Sequence, residues 1–452
     1  MNRPGLPILI AGLIGLAGCG DESSPETSTA DAAAWAGTEL SVAVPRDLEV
    51  EATWQVLFED WSARTGARPG LVTPAWPWHS LTADVAVIPV TSVPELDALW
   101  ELQPVPETLD LQSVLGGLRQ QLCQVGREAR LVPISTPVLV LYVRGDLLEA
   151  SGKRLPETWA EYQQLLEELD EWAGGLTAVE PWGEEFRATM FLARAVSHAR
   201  HPANYSLFFE INRGDPLVDS PAFVRALQEA KKALTEMPAA VRNYTPADCR
   251  RELLAGRAAM AVSFEPEFPE PADVERAETV RVKFIRLPGV REIYNRSSAR
   301  WETVVGRAQA TSLVGFAGLV AVVRKERQAA AAWDLVAEVL VERRREAIDG
   351  SVRGLCWQED VETVAEWLEG SLAADERTGY ARAVVAGLDE AGVVLELGVL
   401  GRERFLAALS QSLDRWLAGE TNAEEKANNE KAKRDKEVAV AAKEDKKWEP
   451  KR

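Results

Sequence analysis

The stretch that decides the fold runs from Leu131 to Trp172 and reads LVPISTPVLVLYVRGDLLEASGKRLPETWAEYQQLLEELDEW. It begins with two short apolar runs, Leu131–Ile134 and Val138–Val143, which are rich in β-branched residues and predict buried strands. Thr158 and Glu161 have the spacing of a capping box, so a helix is expected to begin there. Its apolar side chains recur at helical spacing and predict one buried stripe: Trp159, Tyr162, Leu165, Leu166, Leu169 and Trp172. The pattern alone indicates one strand–helix unit of an α/β domain.

Strands and helices alternate on both sides of this stretch. Leu40–Val44 and the near-continuous apolar run Asp84–Val90 predict strands, and Glu51–Arg64 predicts an amphipathic helix between them. Farther along, Leu313–Val323 is an apolar run interrupted by glycines, and Arg402–Leu417 is an amphipathic helix. This order predicts parallel sheets with helices on their faces.

The first residues have the pattern of an export signal. Arg3 precedes an apolar run, Leu6–Leu16, that is too short to span a bilayer. Leu16-Ala17-Gly18-Cys19 is similar to a bacterial lipobox, in which cleavage before the cysteine leaves the thiol of Cys19 to carry a lipid. An ordinary signal peptide with a chance cysteine is the alternative. Residues 21–37 are small and polar, as expected of a flexible tether.

Composition narrows the classes of function. The chain has 452 residues, enough for two domains, and a formal net charge of −19, which disfavours nucleic acid as a partner. Its 15 tryptophans indicate either a large core or aromatic binding platforms. With Cys19 set aside, at most one disulfide is possible among Cys123, Cys249 and Cys356. No Cys-x-x-Cys pair is present, and we expect neither a metal nor a cofactor.

The opening stretch resembles the extracellular solute-binding proteins of ABC importers, in particular the maltodextrin and multiple-sugar group (family 1). That family carries a "lP...lvLyYnkdLleaaGk..PpkTWeEy" segment where the chain first crosses between its lobes. The matching residues are Pro133, Leu139, Leu141, Tyr142, Asp146, Leu147, Leu148, Ala150, Gly152, Lys153, Pro156, Thr158, Trp159, Glu161 and Tyr162. Arg144-Gly145 replaces the usual Asn-Lys.

Further matches lie outside that stretch. Asp84–Val90 with Leu102–Val105 is similar to the family's "DVvv.p...l.eL...glLqPl" segment, and Leu253–Phe264 is similar to "f..GkaAMai.w". Leu287-Pro288-Gly289 matches the "lPG" that follows a strand in relatives.

The resemblance implies an α/β, two-lobed periplasmic-binding-protein-like fold of type II. Each lobe is expected to be a mainly parallel sheet flanked by helices, with the ligand cleft between the lobes. The expected division is a lipoprotein signal peptide (1–18), a tether (19–38), lobe 1 (39–137 and 311–356), lobe 2 (138–310 and 357–420) and a charged tail (421–452).

The resemblance also implies a function, which is capture of a small solute by lobe closure and its delivery to the permease subunits of an ABC transporter. The protein is expected to be a monomer outside the cytoplasm, held on a lipid bilayer through Cys19, and not an enzyme. A carbohydrate is the expected ligand, although polyamine, peptide and glycerol phosphate relatives share the fold. The alternative is a lipoprotein of the same fold that serves sensing, or binds another ligand or none.

A sugar site needs flat aromatic platforms together with carboxylate, amide or guanidinium groups that bond hydroxyls in pairs. Such groups collect in loops after parallel strands. Trp76 and Trp78, in the segment PAWPWH, are candidates, as are Trp182 and Glu184. Local packing for the tryptophans and a helix start for Glu184 are the alternatives.

Other candidates follow later strands. Phe264 and Glu265 stand where relatives often have a Gly-x-Trp platform, so Trp301 is a candidate replacement. The remaining candidates are Ser92, Phe316 and Arg402, of which the last rests on a loose match to relatives.

Enzymatic interpretations are weaker. Glu184-Glu185 and Glu265-x-Glu267 could be read as a glycosidase pair, but sequence neighbours rarely face each other at the required separation. His198 and His201 could share one helix turn as metal ligands, yet no third ligand is evident.

Overall fold

The computed structural model describes residues 34–44, 51–72, 82–96, 101–265, 276–277, 279–316, 318–325, 328–342, 355–361, 372–389 and 392–419. Strands β1 to β15 are, in chain order, Glu39–Ala43, Arg68–Val72, Val85–Pro89, Gln124–Val125, Glu128–Ala129, Val132–Ser135, Val138–Arg144, Thr177–Val179, Ala258–Glu265, Val282–Arg286, Glu292–Asn295, Arg300–Thr303, Ser312–Val314, Leu319–Val323 and Val393–Leu395. Helices α1 to α11 are Glu51–Thr65, Gly116–Leu122, Gly145–Ser151, Trp159–Glu167, Leu169–Trp172, Arg187–Ala199, Pro221–Thr235, Pro246–Leu254, Ala329–Leu335, Ala374–Leu388 and Arg402–Leu417.

Two separate sheets form the cores of two lobes. The first sheet has the order β2-β1-β3-β14-β6, and the second has the order β10-β7-β9-β8. In the first sheet β14 runs antiparallel to both of its neighbours, while the other strands share one direction. In the second sheet β7 is the reversed strand. Each sheet is therefore parallel except for one strand, and the expected two-lobed α/β class is confirmed.

The opening stretch spans the first crossing between the sheets. Its first strand, β6, belongs to the first sheet and its second, β7, to the second sheet. Only Thr136 and Pro137 separate these two strands. The chain later returns, because β14 lies in the first sheet after β10 has completed the second.

The helix that follows the crossing begins as its sequence predicts. The Thr158 hydroxyl accepts a hydrogen bond from the Glu161 amide at 3.1 Å, and the Glu161 carboxylate accepts one from the Thr158 amide at 3.2 Å. This reciprocal capping satisfies amides that have no partner within the helix. All six residues of the predicted stripe are buried, so they form core of the second lobe.

Two boundaries differ from the sequence expectation. The strand predicted over Asp84–Val90 ends at Pro89, because a 3-10 helix that contains Pro94 begins at Val90. The apolar run Leu313–Val323 is split into β13 and β14 because the glycine-containing loop between them turns.

The N-terminal described segment is fixed to the first lobe. The indole N–H groups of Trp35 and Trp61 both donate to one carboxylate oxygen of Asp334, at 3.2 and 2.9 Å. Within the described ranges, no helix combines the length and the apolar content needed to cross a bilayer.

Candidate functional site

The two crossings lie side by side beneath helix α10. A Cβ atom placed on Gly387 of α10 would lie 3.1 Å from Val138 Cγ2 and 3.4 Å from Ser312 Oγ. Val138 begins β7 after the first crossing, and Ser312 begins β13. Glycine in α10 therefore lets the helix approach both connections closely.

Two buried hydroxyl groups mark these connections. Thr136 is 0% exposed and Thr311 is 3% exposed, and neither Oγ1 atom has a hydrogen-bond partner among the described residues. An unpaired buried hydroxyl is unfavourable unless a ligand or water bonds it. Sequence reasoning missed both threonines, although polar residues inside apolar crossing segments were a usable signal.

An aromatic stack lies next to the first crossing, between β9 and the connection from β13 to β14. Phe264, near the end of β9, pairs in register with Leu139 at the start of β7. Its ring centroid lies 4.1 Å from that of Phe316, which follows β13, with 32° between the planes. The ring of Phe186 packs beside Phe264, at a centroid distance of 5.6 Å. Phe264 and Phe316 are both more than nine-tenths buried in this arrangement.

Gly315 fixes the position of Phe316. Its φ of +103° lies in a region that L side chains rarely adopt, and a Cβ atom there would come within 2.5 Å of Leu395 Cδ1. The loop after β13 is also held by the amide of Val90, which donates to the Gly318 carbonyl at 2.8 Å. Gly315 and the Val90–Gly318 bond therefore fix the backbone on either side of Phe316.

Trp182 occupies a different place from the ligand platform expected for it. It is 0% exposed, and its indole N–H donates to the Glu180 carboxylate at 2.9 Å. Glu180 also pairs with Arg194 at 2.7 Å, and the Arg194 guanidinium lies 4.1 Å from the centroid of the Trp159 ring. Burial, and then the Glu180 charge, raise the pKa of neighbouring Tyr162 well above its ordinary value. Trp182 thus supports the second lobe and has no face open to a ligand.

Trp301 and Arg402 are likewise engaged within the protein. The Arg225 guanidinium lies 3.3 Å from the Trp301 ring centroid, and Tyr294 and His198 pack around the same indole. Arg402, 8% exposed, forms a close ion pair with buried Glu396. Trp301 and Arg402 thus have partners within the protein, and their contact with a ligand stays a prediction.

Of the other candidates, the structure describes the side chains of Glu184 and Ser92. Glu184 is exposed, and its carbonyl accepts a hydrogen bond from Ser410 at 2.7 Å. Ser92 is buried in the 3-10 helix of the first lobe. The side chain of Glu265 is not described, and Trp76, Trp78 and Cys19 lie outside the described residues.

The histidines and cysteines have separate surroundings. His198 pairs with Glu229 at 2.9 Å and His201 with Glu302 at 3.0 Å, so each faces a different carboxylate. No metal-binding group of three His, Cys, Asp or Glu occurs among the described residues. Cys123, Cys249 and Cys356 are buried and form no disulfide with one another, and burial raises the pKa of Cys123 to about 12.

Comparison with known proteins settles the fold. No protein-family model matches the chain, and no curated protein sequence matches it. The sugar-binding protein MalE of Xanthomonas citri superposes with a TM-score of 0.63 at 18% identity, covering 91% of this chain and 100% of that one. The chain has the fold of ABC-transporter solute-binding proteins.

Two further solute-binding proteins of similar structure were solved with bound ligands. A solute-binding protein of Agrobacterium vitis with bound D-mannitol has a TM-score of 0.58 at 15% identity, and covers 89% of this chain and 99% of that one. Maltose-bound MalE3 of T. maritima also has a TM-score of 0.58, at 16% identity, and covers 88% and 98% of the respective chains. The fold expected from the sequence resemblance is confirmed along almost the whole length of these proteins.

Proposed function

We propose that the protein is an extracytoplasmic solute-binding protein that captures a small carbohydrate between its lobes and delivers it to an ABC permease. The observation that carries this proposal is the contact between Phe264, in β9 of the second sheet, and Phe316, in the connection between β13 and the first-sheet strand β14. An aromatic ring at a lobe junction is suited to the apolar face of a sugar. The structural neighbours include proteins solved with mannitol, maltose and ribitol, which agrees with this ligand class.

The proposed site is built around this stack. When the lobes separate, Phe316 leaves Phe264, and a sugar ring takes its place on the exposed aromatic face. The unpaired hydroxyls of Thr136 and Thr311 are available to bond sugar hydroxyls. Ser92, Glu184 and Glu265 stay candidates for polar contacts, and Trp76 and Trp78 for a second platform.

Transport follows from the conformational equilibrium. A ligand that contacts both lobes stabilises the closed state by its difference in affinity for the two states. The permease is proposed to recognise this closed form, so no bond chemistry is required of the protein. We further propose that Cys19 carries a lipid and that residues 20–33 tether the first lobe, where Trp35 is fixed, to the membrane.

A thermal-shift screen tests the ligand class. Protein comprising residues 34–452, which keeps the bond from Trp35 to Asp334, is heated with mono- and oligosaccharides, polyols, amino acids and polyamines. A ligand present at 100 times its Kd stabilises by about 2.7 kcal/mol, which raises the melting temperature measurably. A shift produced by another metabolite class and by no sugar or polyol would contradict the carbohydrate proposal.

Membrane attachment is tested independently of the ligand. Cys19→Ala in the full chain is expected to move the protein from the membrane fraction to the soluble extracytoplasmic fraction. Membrane attachment equal to that of the unsubstituted chain would rule out the lipid anchor.

A further inference from the structure

A cavity of about 420 Å³ lies at the outer edge of the second sheet. Its walls come from edge strand β10, the loop before α4, the loop before β13 and helix α10. None of the residues that line it belongs to the proposed sugar site. Its volume falls within the range of about 300–1,000 Å³ typical of small-molecule sites.

The cavity lies between α10 and β10. Large side chains fill the space between these two elements at one end of their contact, and small side chains leave it open at the other. At the first end the Phe284 and Tyr380 rings pack edge to face, with centroids 5.5 Å apart. Buried Glu376 accepts from the Val282 amide at 2.8 Å and pairs with Arg276. Further along the helix, Ala383 and Ala386 face the same strand and leave the space open.

Backbone hydrogen bonds hold the remaining walls in place. The Gly289 amide donates to the Glu157 carbonyl at 2.8 Å, and Val290 and Gln309 exchange two bonds of 2.8 and 2.9 Å. A Cβ atom on Gly289 would lie 2.5 Å from the Gln309 carbonyl oxygen, so only glycine permits this approach. The Arg291 guanidinium adds a bond to the Gly306 carbonyl at 2.6 Å. A preformed site loses less free energy on binding than one that must be ordered.

The charge of this cavity is opposite to that of the whole molecule. Three arginines, Arg286, Arg307 and Arg382, line it in a chain whose net charge is −19. Among the described lining residues Glu157 is the one acid, and Arg291 pairs with it at 3.1 Å. Arg307 and Arg382 are exposed and form no ion pair within the described part of the chain.

We propose that this arginine pocket binds a small organic anion carrying two or three negative charges on carboxylate or phosphate groups. Guanidinium groups bond both kinds of oxyanion in pairs, and Arg307 and Arg382 on one cavity match at least two negative charges on one molecule. Phe284, Leu287 and Ala383 form an apolar floor that suits the carbon skeleton of such a ligand. Both the cavity size and this floor favour a small organic molecule over a bare inorganic ion.

Isothermal titration calorimetry on the protein of residues 34–452 tests the proposal with two probes. Citrate represents polycarboxylates and glycerol 3-phosphate represents phosphate esters, with glycerol as the uncharged control and sodium chloride matching the ionic strength. At least one anion is expected to bind, and the stronger one identifies the source chemistry. Arg307→Gln with Arg382→Gln should weaken that binding roughly 100-fold or more, because each of the two arginines loses at least one charge-assisted hydrogen bond.

Two further variants test whether the pocket itself binds the anion. Arg127→Gln with Arg404→Gln makes the same change in net charge at exposed positions away from the pocket, and should leave the Kd unchanged. Ala386→Leu fills the cavity without altering charge, and should abolish binding while circular dichroism shows a folded protein. The proposal is overturned if neither anion binds beyond the salt control, if both arginine pairs weaken binding equally, or if Ala386→Leu binds normally. Sugar binding in the cleft is measured on the same variants and is expected to persist, so the two proposals fail separately.

Discussion

At the scale of single residues, the Glu180–Arg194 ion pair is the most deeply buried in the described second lobe. The two side chains are 0% and 1% exposed. Arg194→Ala leaves the Glu180 carboxylate buried beside Trp182 without its cation, which is expected to cost about 3–5 kcal/mol of unfolding free energy. Urea denaturation of the variant measures this loss.

The exposed Arg213–Asp215 pair provides the control for that experiment. Its nitrogen–oxygen distance is 3.1 Å, but Arg213 is 73% exposed. Arg213→Ala should therefore cost less than about 1 kcal/mol. Equal losses in the two variants would show that burial of the Glu180–Arg194 pair has no special effect.

Phe264 is the residue on which the proposed sugar site most depends. Replacing it by alanine removes the aromatic platform, and is expected to weaken binding of the sugar found by thermal shift by about tenfold or more. Trp301→Phe is the control, because Arg225 already covers the Trp301 ring. Calorimetric titration measures the Kd for the sugar in both variants. An unchanged Kd in Phe264→Ala would show that Phe264 does not contact the sugar.

At the scale of elements, the start of α8 links helix stability to pH. Burial by itself would raise the pKa of Asp248, but hydrogen bonds from Thr245 and Arg251 outweigh it and hold that pKa below its ordinary value. The stabilisation is therefore complete above the pKa of the unfolded carboxyl, about 3.9, and is lost as pH falls through the lower folded value. Asp248→Asn should cost about 1 kcal/mol at neutral pH, as capping losses do.

The measurement is urea unfolding of both proteins from pH 7 to pH 3. The free-energy difference between wild type and Asp248→Asn should stay constant down to about pH 4 and shrink below it. Asp219→Asn, at an exposed position, corrects for the general effect of removing a carboxylate. If the free-energy difference between wild type and Asp248→Asn grows on acidification, the pKa of Asp248 is not lowered in the folded protein.

The same elements show what sequence could and could not predict. Thr158 and Thr245 mark helix starts within a few residues of sequence, and the β6–β7 crossing is encoded in one continuous segment, so local pattern predicted them. The surroundings of Trp182 and Arg402 depend on partners brought near by folding, including a bond from Thr189 to Glu396 across 207 positions. An aromatic side chain is suited both to a ligand platform and to a hydrophobic core. Only the residues around it in the folded protein show which role it has.

At the scale of the whole molecule, a two-residue connection joins β6 of the first sheet to β7 of the second, and Phe264 of the second sheet stacks on Phe316, which lies shortly before the first-sheet strand β14. Since the crossings beneath α10 are closely packed, they limit the paths by which the lobes separate. The stack is then one of the contacts that must break on opening. The free energy of the Phe264–Phe316 contact, together with the free energy of ligand binding, influences the balance between open and closed forms.

Phe316→Ala is therefore expected to favour the open form without unfolding either lobe. An aromatic pair contributes about 0.5–1.5 kcal/mol beyond area burial, so the open-to-closed ratio should rise about two- to tenfold. Small-angle X-ray scattering should show a larger radius of gyration for the variant, and saturating sugar should reduce it again. Phe209→Ala removes a ring contact with Phe405, away from the Phe264–Phe316 stack, and should leave the radius unchanged. If Phe316→Ala scatters like wild type both with and without sugar, the stack does not influence closure, and the opening step in the proposed capture mechanism must depend on other contacts.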